Sequence, residues 1–268
     1  AETYGTNVLN AMIGKRFNYP KSLYAVQDTL RFFVANKPNA LIVDFFAGSG
    51  TTLHAVNLLN AEDGGHRRCI LVTNNEVSAD EAKTLSAQGY QPGDPEWEQY
   101  GIARYVTWPR TVCSIEGHDV NGKPLKGDYI TSGEEPMHMA DGFKANAAFF
   151  KLGFLDKNAV ALGRQFKELL PVLWLKAGAH GPCPSLEEAA EVPAMLVLPE
   201  NHFAVLTDES QYETFATQVN IEDVITTVYI VTDSEPGYRE MISGLHAEDT
   251  YQLYRDYLDN FRINHGGR

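Results

Sequence analysis

The stretch ALIVDFFAGSGTTLHAVNLLN, residues 40–60, constrains the fold more than any other part of the sequence. Its first half is an apolar run that ends in Asp44, which is typical of a buried strand in a parallel sheet. Gly48 and Gly50 interrupt the run, and a helix is predicted from about Thr51 to Leu59. A strand that enters a helix through such a turn presents backbone N–H groups at the carboxyl end of the sheet, where α/β proteins bind ligands. The sequence therefore predicts an α/β protein with a ligand site at this turn.

The segments on either side extend the predicted unit. CILVT, residues 69–73, predicts a second buried strand, so that strand, helix and strand form a βαβ unit. Downstream, IARYVTW, residues 102–108, predicts another strand. Upstream, a helix that ends before Lys37-Pro38 is predicted by apolar residues that recur every three or four positions: Leu23, Val26, Leu30 and Phe33.

A second α/β domain is predicted to follow the first. The segment TSGEEPMHMADG, residues 131–142, marks the boundary, so the predicted domains are residues 1–140 and 141–268. In the second domain, NAAFFKLGFL predicts a strand, and KNAVALGRQFKELLPVLWLKAG predicts a helix kinked at Pro171. AMLVLP, FAVLT and VITTVYIVTD predict strands, and ESQYETFATQV and PGYREMISGL predict helices. A last helix is predicted from residues that share one face: Tyr251, Tyr254, Leu258 and Phe261.

The charge of the chain lies mainly in its last third. Residues 181–268 hold 16 acidic and 4 basic residues and so carry −12 of the net charge of −13. An acidic surface repels phosphate backbones, so it is either a solvated face or a docking face for a basic partner subunit. The absence of an apolar stretch of 18 residues and the three isolated cysteines favour a cytosolic protein with reduced thiols, without a membrane span.

Three ligand classes use a glycine turn of this kind, and neighbouring residues separate them. A nucleoside triphosphate site requires a Lys after the last glycine, and Thr51 stands there instead. A dinucleotide site favours a third glycine where this chain has Leu53, so a nicotinamide enzyme is a weaker alternative. Asp44 suits an ammonium group, which S-adenosylmethionine carries. The Gly48–Gly50 backbone then passes beneath this cofactor, and Glu76 is placed to accept hydrogen bonds from its ribose hydroxyls.

Three motifs resemble those of DNA methyltransferases that modify exocyclic amino groups. DFFAGSGTTLHAV is similar to their cofactor motif I, FNYPKSLYAVQDTL to their motif X, and ILVTNNE to the strand that carries their ribose-binding acid. Ser22 replaces the usual second proline of motif X. Motif X directly before motif I is the order of the β group, and the whole pattern most resembles the N6-adenine modification subunits of type III-like restriction systems.

This resemblance implies a class I methyltransferase sheet of the Rossmann-like kind, present in part, and S-adenosylmethionine as cofactor. It also implies a set of cofactor-binding residues: Phe17, Pro20, Lys21, Asp44, Phe45, Phe46, Ala47, Gly48, Ser49, Gly50, Thr51, Asn75 and Glu76.

The catalytic motif of that family is absent from this sequence. It consists of Asp, Asn or Ser, two prolines and an aromatic residue that stacks on the flipped base, and no proline of this chain has that context. We therefore expect this chain to be the cofactor-binding C-terminal part of a site-specific adenine-N6 DNA methyltransferase and to be inactive alone. Most residues that bind double-stranded DNA are then expected in the part of that enzyme that precedes this chain. The resemblance also implies a homodimer and a restriction subunit as partners. The alternative is a non-catalytic cofactor-binding or assembly subunit of a restriction-modification complex.

Other side chains with chemical potential have weaker support. His54, in the first turn after the glycines, is expected to be a packed or capping side chain. Trp108-Pro109-Arg110 either contacts DNA near the cofactor or is an ordinary strand end. The eight histidines are scattered, so no metal site is expected.

Overall fold

The computed structural model describes residues 2–133, 135–153, 166–186 and 192–253. The chain divides into two compact units, Ala1–Phe149 and Phe150–Arg268. Parallel strands and helices occur in both units, so the prediction of an α/β protein is confirmed. Within the described ranges, no helix is both long and apolar enough to cross a membrane.

The described part of the first unit contains six helices and four short strands. The helices are α1 (Asn7–Ile13), α2 (Leu23–Val34), α3 (Thr51–Asp63), α4 (Ala79–Ala87), α5 (Pro95–Glu98) and α6 (Trp108–Glu116). The strands are β1 (Leu41–Asp44), β2 (Arg68–Leu71), β3 (Asp128–Tyr129) and β4 (Met137–His138). Wider π turns, Glu2–Thr6 and Ala103–Thr107, lead directly into α1 and α6.

The βαβ unit around the glycine turn is present as predicted, but the prediction that its two strands are buried is wrong, because exposed and partly exposed residues alternate along both. β1 and β2 pair in parallel, with Leu41 opposite Arg68 and Asp44 opposite Leu71. The connecting helix α3 is a central element, because it buries residues on several of its sides, among them Ala55, Val56, Leu58 and Leu59. It ends at Asp63, one turn beyond the predicted end, where Gly64 caps it in the left-handed conformation.

The core of the first unit lies among its helices. Side chains of α1, α2, α3 and α6 form one cluster with the segment 125–143: Leu9, Met12, Ile13, Leu23, Ala55, Leu58, Val106, Cys113, Leu125, Tyr129, Met139 and Phe143. The predicted helix α2 is confirmed, although its Phe33 is exposed.

One face of the small parallel sheet is open. Leu41, Val43, Ile70 and Val72 alternate along the two strands, and each exposes 41–50% of its surface. In α/β proteins, parallel strands are almost always covered on both faces, because crossover helices pack there. This set of four side chains, here called the open face, is therefore an uncovered apolar surface.

The strand predicted at residues 102–108 is wrong. Ala103–Thr107 is a helical turn that continues into α6, and Gly101, which precedes this turn, forms an isolated bridge with Val77. Buried positions recur at helical spacing through Val106, Arg110 and Cys113. Pro109 cannot donate to the carbonyl of Tyr105, but Arg16 Nη1 donates to that oxygen at 3.2 Å. The helix therefore accommodates Pro109, which was predicted from the sequence to lie at a possible strand end.

The second unit has three layers. The α-helices in its described residues are α7 (Phe166–Lys176), α8 (Tyr212–Ile221) and α9 (Glu235–Ser243). Its strands are β5 (Met195–Leu198), β6 (Phe203–Leu206), β7 (Thr227–Val231) and β8 (Asp249–Leu253). They form one sheet in the order β5-β6-β7-β8, in which only the β5–β6 pair is antiparallel. α7 packs on one face of the sheet, and α8 and α9 pack on the other.

Most elements predicted for this unit are confirmed, and two are corrected. Residues 146–153 form no strand, and the last two residues of that segment lie outside the described residues. Tyr251 belongs to strand β8, where its ring stacks 5.5 Å from that of Tyr229, so the final helix cannot begin before it. Tyr254, Leu258 and Phe261 lie outside the described residues. Pro171 does lie inside a helix, α7.

Candidate functional site

The glycine turn is a tight backbone structure at the carboxyl end of β1. The N–H of Ala47 donates to Val72 O at 3.2 Å, and the N–H of Gly50 donates to Ala47 O at 2.8 Å. Gly48 and Gly50 both have positive φ, 52° and 75°, which side chains disfavour. A Cβ on Gly50 would lie 3.1 Å from the Thr107 methyl carbon, so the helical turn Ala103–Thr107 packs closely on the glycine turn.

Asp44 braces this turn. Its Oδ1 accepts a hydrogen bond from the N–H of Phe46 at 3.1 Å, and its Oδ2 accepts one from Thr52 Oγ1 at 2.6 Å. The carboxylate thus performs the local capping role that a strand-end Asp performs in many proteins. Each carboxylate oxygen has further acceptor capacity. Asp44 can therefore hold the turn and accept a cationic ligand group together.

A cleft lies against the turn and brings most of the predicted cofactor residues together. Its volume is about 310 Å³, including space open to solvent. The segment before α2 and the glycine turn line it: Phe17, Tyr19, Lys21, Asp44, Ala47, Gly48, Ser49, Thr51 and Thr52. Seven of these were predicted, and Tyr19 and Thr52 were missed. Thr52 could have been found, because it is the second residue of α3 and its hydroxyl can reach back to the strand end.

The cleft presents both signs of charge together with bare backbone. Lys21 supplies an ammonium group and Asp44 a carboxylate, which is the pairing that an amino-acid moiety requires. A Cβ on Gly48 would meet no protein atom closer than 3.9 Å, although Gly48 lines the cleft. A side chain at this position would extend into the space that a ligand would use.

The remaining predicted residues lie outside the cleft lining. Pro20 is buried behind it, and Gly50 faces Thr107. Phe45 and Phe46 are 66% and 90% exposed, so both residues are largely accessible to solvent.

Asn75 and Glu76 follow β2 and also lie apart from the cleft lining. Asn75 Nδ2 donates to Glu98 O and Glu98 Oε2 at 2.7 and 2.8 Å, and its Oδ1 accepts from the N–H of Arg104. Its side chain therefore fastens α5 and the start of the α6 segment to the sheet edge. The Glu76 carboxylate is exposed, and Asn74 Nδ2 lies 3.4 Å from it. Its position leaves it accessible to a ligand hydroxyl.

A buried polar network behind the turn was not predicted. Arg110, 1% exposed, donates from Nη1 to Thr51 Oγ1 at 2.7 Å, and Ser49 Oγ and Ser49 O lie at 3.2 and 3.3 Å. Its Nε lies 3.3 Å from His54 Nδ1, and His54 Nε2 lies 2.9 Å from Tyr129 Oη. A residue buried to this extent cannot contact DNA, and it lies on a helix, so both alternatives considered for Trp108-Pro109-Arg110 are wrong for Arg110.

Burial dominates the protonation of this network. It lowers the pKa of Arg110 to about 10, which leaves the guanidinium charged at neutral pH. Burial, with the Arg110 charge as the second cause, lowers the pKa of His54 well below 6.5, so this imidazole is neutral. Burial also raises the pKa of Tyr129. His54 is thus a packed side chain, as predicted. Among the described residues, no three His, Cys, Asp or Glu side chains group as metal ligands would.

The resemblance to DNA methyltransferases is confirmed by sequence similarity to known proteins. No protein-family model matches the chain. Part of it is nevertheless similar to methyltransferases of restriction-modification systems, the class that the three motifs indicated.

Three curated relatives can be named. The type II methyltransferase M.KpnI of Klebsiella pneumoniae is 45% identical over 71 residues, which are 26% of this chain and 16% of the relative. The EcoPI Mod subunit of a type III restriction-modification enzyme, from Escherichia phage P1, is 36% identical over 89 residues, 33% of this chain and 13% of the relative. The StyLTI Mod subunit of Salmonella typhimurium is 38% identical over 183 residues, 61% of this chain and 27% of the relative. The chain thus spans about a quarter or less of each relative.

Proposed function

We propose that this chain is the cofactor-binding part of a site-specific DNA methyltransferase that transfers a methyl group from S-adenosylmethionine to adenine N6. The observation that carries the proposal is the cleft at the glycine turn, where Lys21 and Asp44 flank bare backbone. The similarity to M.KpnI and to two Mod subunits supports the same activity. S-adenosylmethionine supplies an electrophilic methyl group on a sulfonium.

The residues of the chain suit the two charged ends of this cofactor. Asp44 accepts the methionyl ammonium while it keeps its hydrogen bonds to the turn, and Lys21 faces the carboxylate. The Gly48 backbone supports the ligand, and Phe17 provides an apolar wall. Glu76, accessible beyond β2, accepts the ribose hydroxyls.

The open face supports the proposal that this is part of a larger domain. Leu41, Val43, Ile70 and Val72 need a covering layer, and two strands are too few for an independent sheet. We propose that the complete enzyme forms a Rossmann-like methyltransferase sheet here, and that the segment with the catalytic motif and most DNA contacts belongs to the same domain. The protein is then a cytoplasmic enzyme that acts on double-stranded DNA.

The second unit is proposed to serve assembly. It has its own sheet with helices on both faces, and residues 181–268 carry most of the negative charge. A homodimer partner or a restriction subunit with a basic surface would suit it. If this were the only role of the chain, it would be a non-catalytic subunit, which is the second candidate.

Calorimetric titration with S-adenosylmethionine, with NAD as the control ligand, tests the proposal. Saturable binding of the first ligand alone is expected. Asp44→Ala and Glu76→Ala are each expected to weaken it by about 10- to 100-fold, which equals the loss of one hydrogen bond to a charged group. Asp80→Ala, at an exposed acid on α4, is the matched control and is expected to bind like the wild type.

A further substitution separates the charge of Asp44 from its bracing role. Asp44→Asn keeps an acceptor for Thr52 or for the N–H of Phe46 but lacks the charge. It should weaken cofactor binding while the thermal stability changes little. Wild-type affinity in both Asp44→Asn and Glu76→Ala would overturn the assigned site. Methyl transfer to DNA by the chain alone would contradict the proposal that it lacks the catalytic segment.

A further inference from the structure

Arg110 is a buried cation without a carboxylate partner in the described part of the chain. None of the ion pairs there includes it. Removal of a charge from water costs several kcal/mol unless nearby groups compensate. The contacts of Arg110 must therefore explain why its charge is buried.

All described hydrogen-bond partners of Arg110 belong to the glycine turn and the first turn of α3. Its Nη1 reaches Ser49 and Thr51, and its Nε reaches His54. Its Nη2 has no partner among the described residues. The guanidinium therefore connects the glycine turn to α6, and it contacts Ser49 and Thr51, which line the cleft, without lining the cleft itself.

The partners of His54 fix its tautomer. An arginine Nε–H only donates, so His54 Nδ1 must accept. The single proton of the neutral ring then lies on Nε2, from which it is donated to Tyr129 Oη at 2.9 Å. The other ring packed against the imidazole is Phe143, which does not titrate. Arg110 and Tyr129 are thus the polar groups that determine the state of His54.

We propose that Arg110 is the positioning residue of the glycine turn, and that it holds Ser49 and Thr51 in the geometry that binds the cofactor. This inference rests on the proposed function. Arginine suits the task because its planar group directs Nε and Nη1 donors at fixed angles, whereas a lysine has one ammonium centre. The turn is then preformed before the ligand arrives, which lowers the entropic cost of binding.

The first test needs no ligand. The ¹⁵N shifts of the His54 ring at pH 7, measured by long-range ¹H–¹⁵N NMR, are expected to show a neutral ring protonated on Nε2. In Arg110→Met, which keeps the apolar stem, the tautomers should mix. A wild-type ring protonated on Nδ1 would overturn the inference, because Arg110 could not then donate to it.

The second test compares two buried threonines by calorimetry with S-adenosylmethionine. Thr51→Val removes an acceptor of Arg110 and keeps the side-chain shape. Thr111→Val removes a hydroxyl that donates only to Thr107 O within the same helix as Arg110. We expect Thr51→Val to weaken binding about tenfold, the effect of one charged hydrogen bond, and Thr111→Val less than twofold. The losses of thermal stability should be similar. Because Thr51 also lines the cleft, substitutions of His54, which lies outside the lining, are needed to separate positioning by Arg110 from a direct contact of Thr51 with the ligand.

Substitutions of His54 provide a test that does not depend on how well the Arg110 variant folds. His54→Asn keeps an acceptor near the position of Nδ1 and should retain affinity, whereas His54→Leu should lose about tenfold. If wild type binds the cofactor and both Thr51→Val and His54→Leu bind within twofold of it, Arg110 does not position the turn. If wild type does not bind the cofactor, the proposed function fails, and the tautomer measurement still decides whether Arg110 donates to His54 at the start of α3.

Discussion

Substitution of the second turn glycine by alanine should destabilise the first unit in a way that can be separated into two physical causes. Gly50 caps α3 at its start with φ 75° and ψ 25°, and Gly64 caps the same helix at its end with φ 70° and ψ 17°. An alanine at either position must adopt the left-handed conformation. A Cβ at position 50 would lie 3.1 Å from Thr107 Cγ2, whereas a Cβ at position 64 would meet nothing within 4 Å.

The expected magnitudes follow from this comparison. The left-handed conformation costs alanine about 1–2 kcal/mol, and the stiffer unfolded chain returns about 0.4–1 kcal/mol of that. Gly64→Ala should therefore cost about 1 kcal/mol. Gly50→Ala adds a steric contact inside a packed region, which typically costs about 1–3 kcal/mol more. Thr107→Ser removes the contacting methyl but keeps the hydroxyl that donates to Gly48 O at 2.5 Å. The double variant Gly50→Ala/Thr107→Ser should thus recover most of the additional loss.

Urea unfolding followed by tryptophan fluorescence measures these differences. A Trp174→Phe background leaves Trp97 and Trp108, both in the first unit, as the reporters. The steric argument is refuted if Gly50→Ala and Gly64→Ala lose equal free energy of unfolding, or if Thr107→Ser restores nothing. Cofactor titration of the same proteins should show weaker binding for Gly50→Ala alone, because a shifted Thr107 no longer supports Gly48.

Two further predictions concern charged groups away from the cleft. Arg67→Met should lower the free energy of unfolding by about 2–4 kcal/mol in the same assay, because the buried guanidinium forms a two-point ion pair with Asp63 and donates to Val34 O. The control is Arg239→Met, which removes an exposed ion pair and should lower the free energy of unfolding by less than about 1 kcal/mol. Equal losses in the two variants would contradict this prediction. The pKa of His138 is raised by its hydrogen bond to Asp128 and by the charge of that carboxylate, so an NMR titration should give a midpoint above 6.5 that Asp128→Asn returns toward 6.5. Because the pKa of His138 is higher in the folded than in the unfolded state, its interaction with Asp128 stabilises the fold fully below the unfolded pKa, and this stabilisation is lost as the pH rises through the folded pKa. A His138 titration midpoint below 6.5 would refute this prediction.

The parts of the site that were predictable depend on local backbone rules. An apolar run followed by a carboxylate and two glycines predicts a strand, a turn and the start of a helix, because only a few backbone conformations suit this order of residues. The structure accordingly brings Asp44, Gly48 and Ser49 to one cleft. Lys21 lies at the same cleft because α2, which begins two residues later, packs beside α3. The helical spacing from Leu23 onward predicted α2 but not that it would pack against α3.

The parts that were not predictable depend on contacts between distant segments. Tyr105, Val106 and Thr107 favour strands individually, yet packing against α1 and α3 makes them helical. Pro109, which was predicted to lie at a possible strand end, is compatible with the helix because Arg16, 89 residues before Tyr105, donates to the Tyr105 carbonyl. The same misassignment hid Arg110, which lies on α6 with its side chain buried.

The described contacts also distinguish a completed part of the site from an incomplete one. At the glycine turn, Arg110 donates from Nη1 and Nε to the turn and to His54, and His54 contacts Tyr129, so residues of this chain hold that part of the site. On the open face of β1 and β2, apolar side chains have no covering layer, and the Phe46 ring is almost fully exposed. Cofactor affinity should therefore depend on residues inside this chain, whereas the sheet is expected to gain stability when a further polypeptide layer covers it. Titration of the chain with S-adenosylmethionine, before and after addition of a longer homologous segment, separates these two requirements.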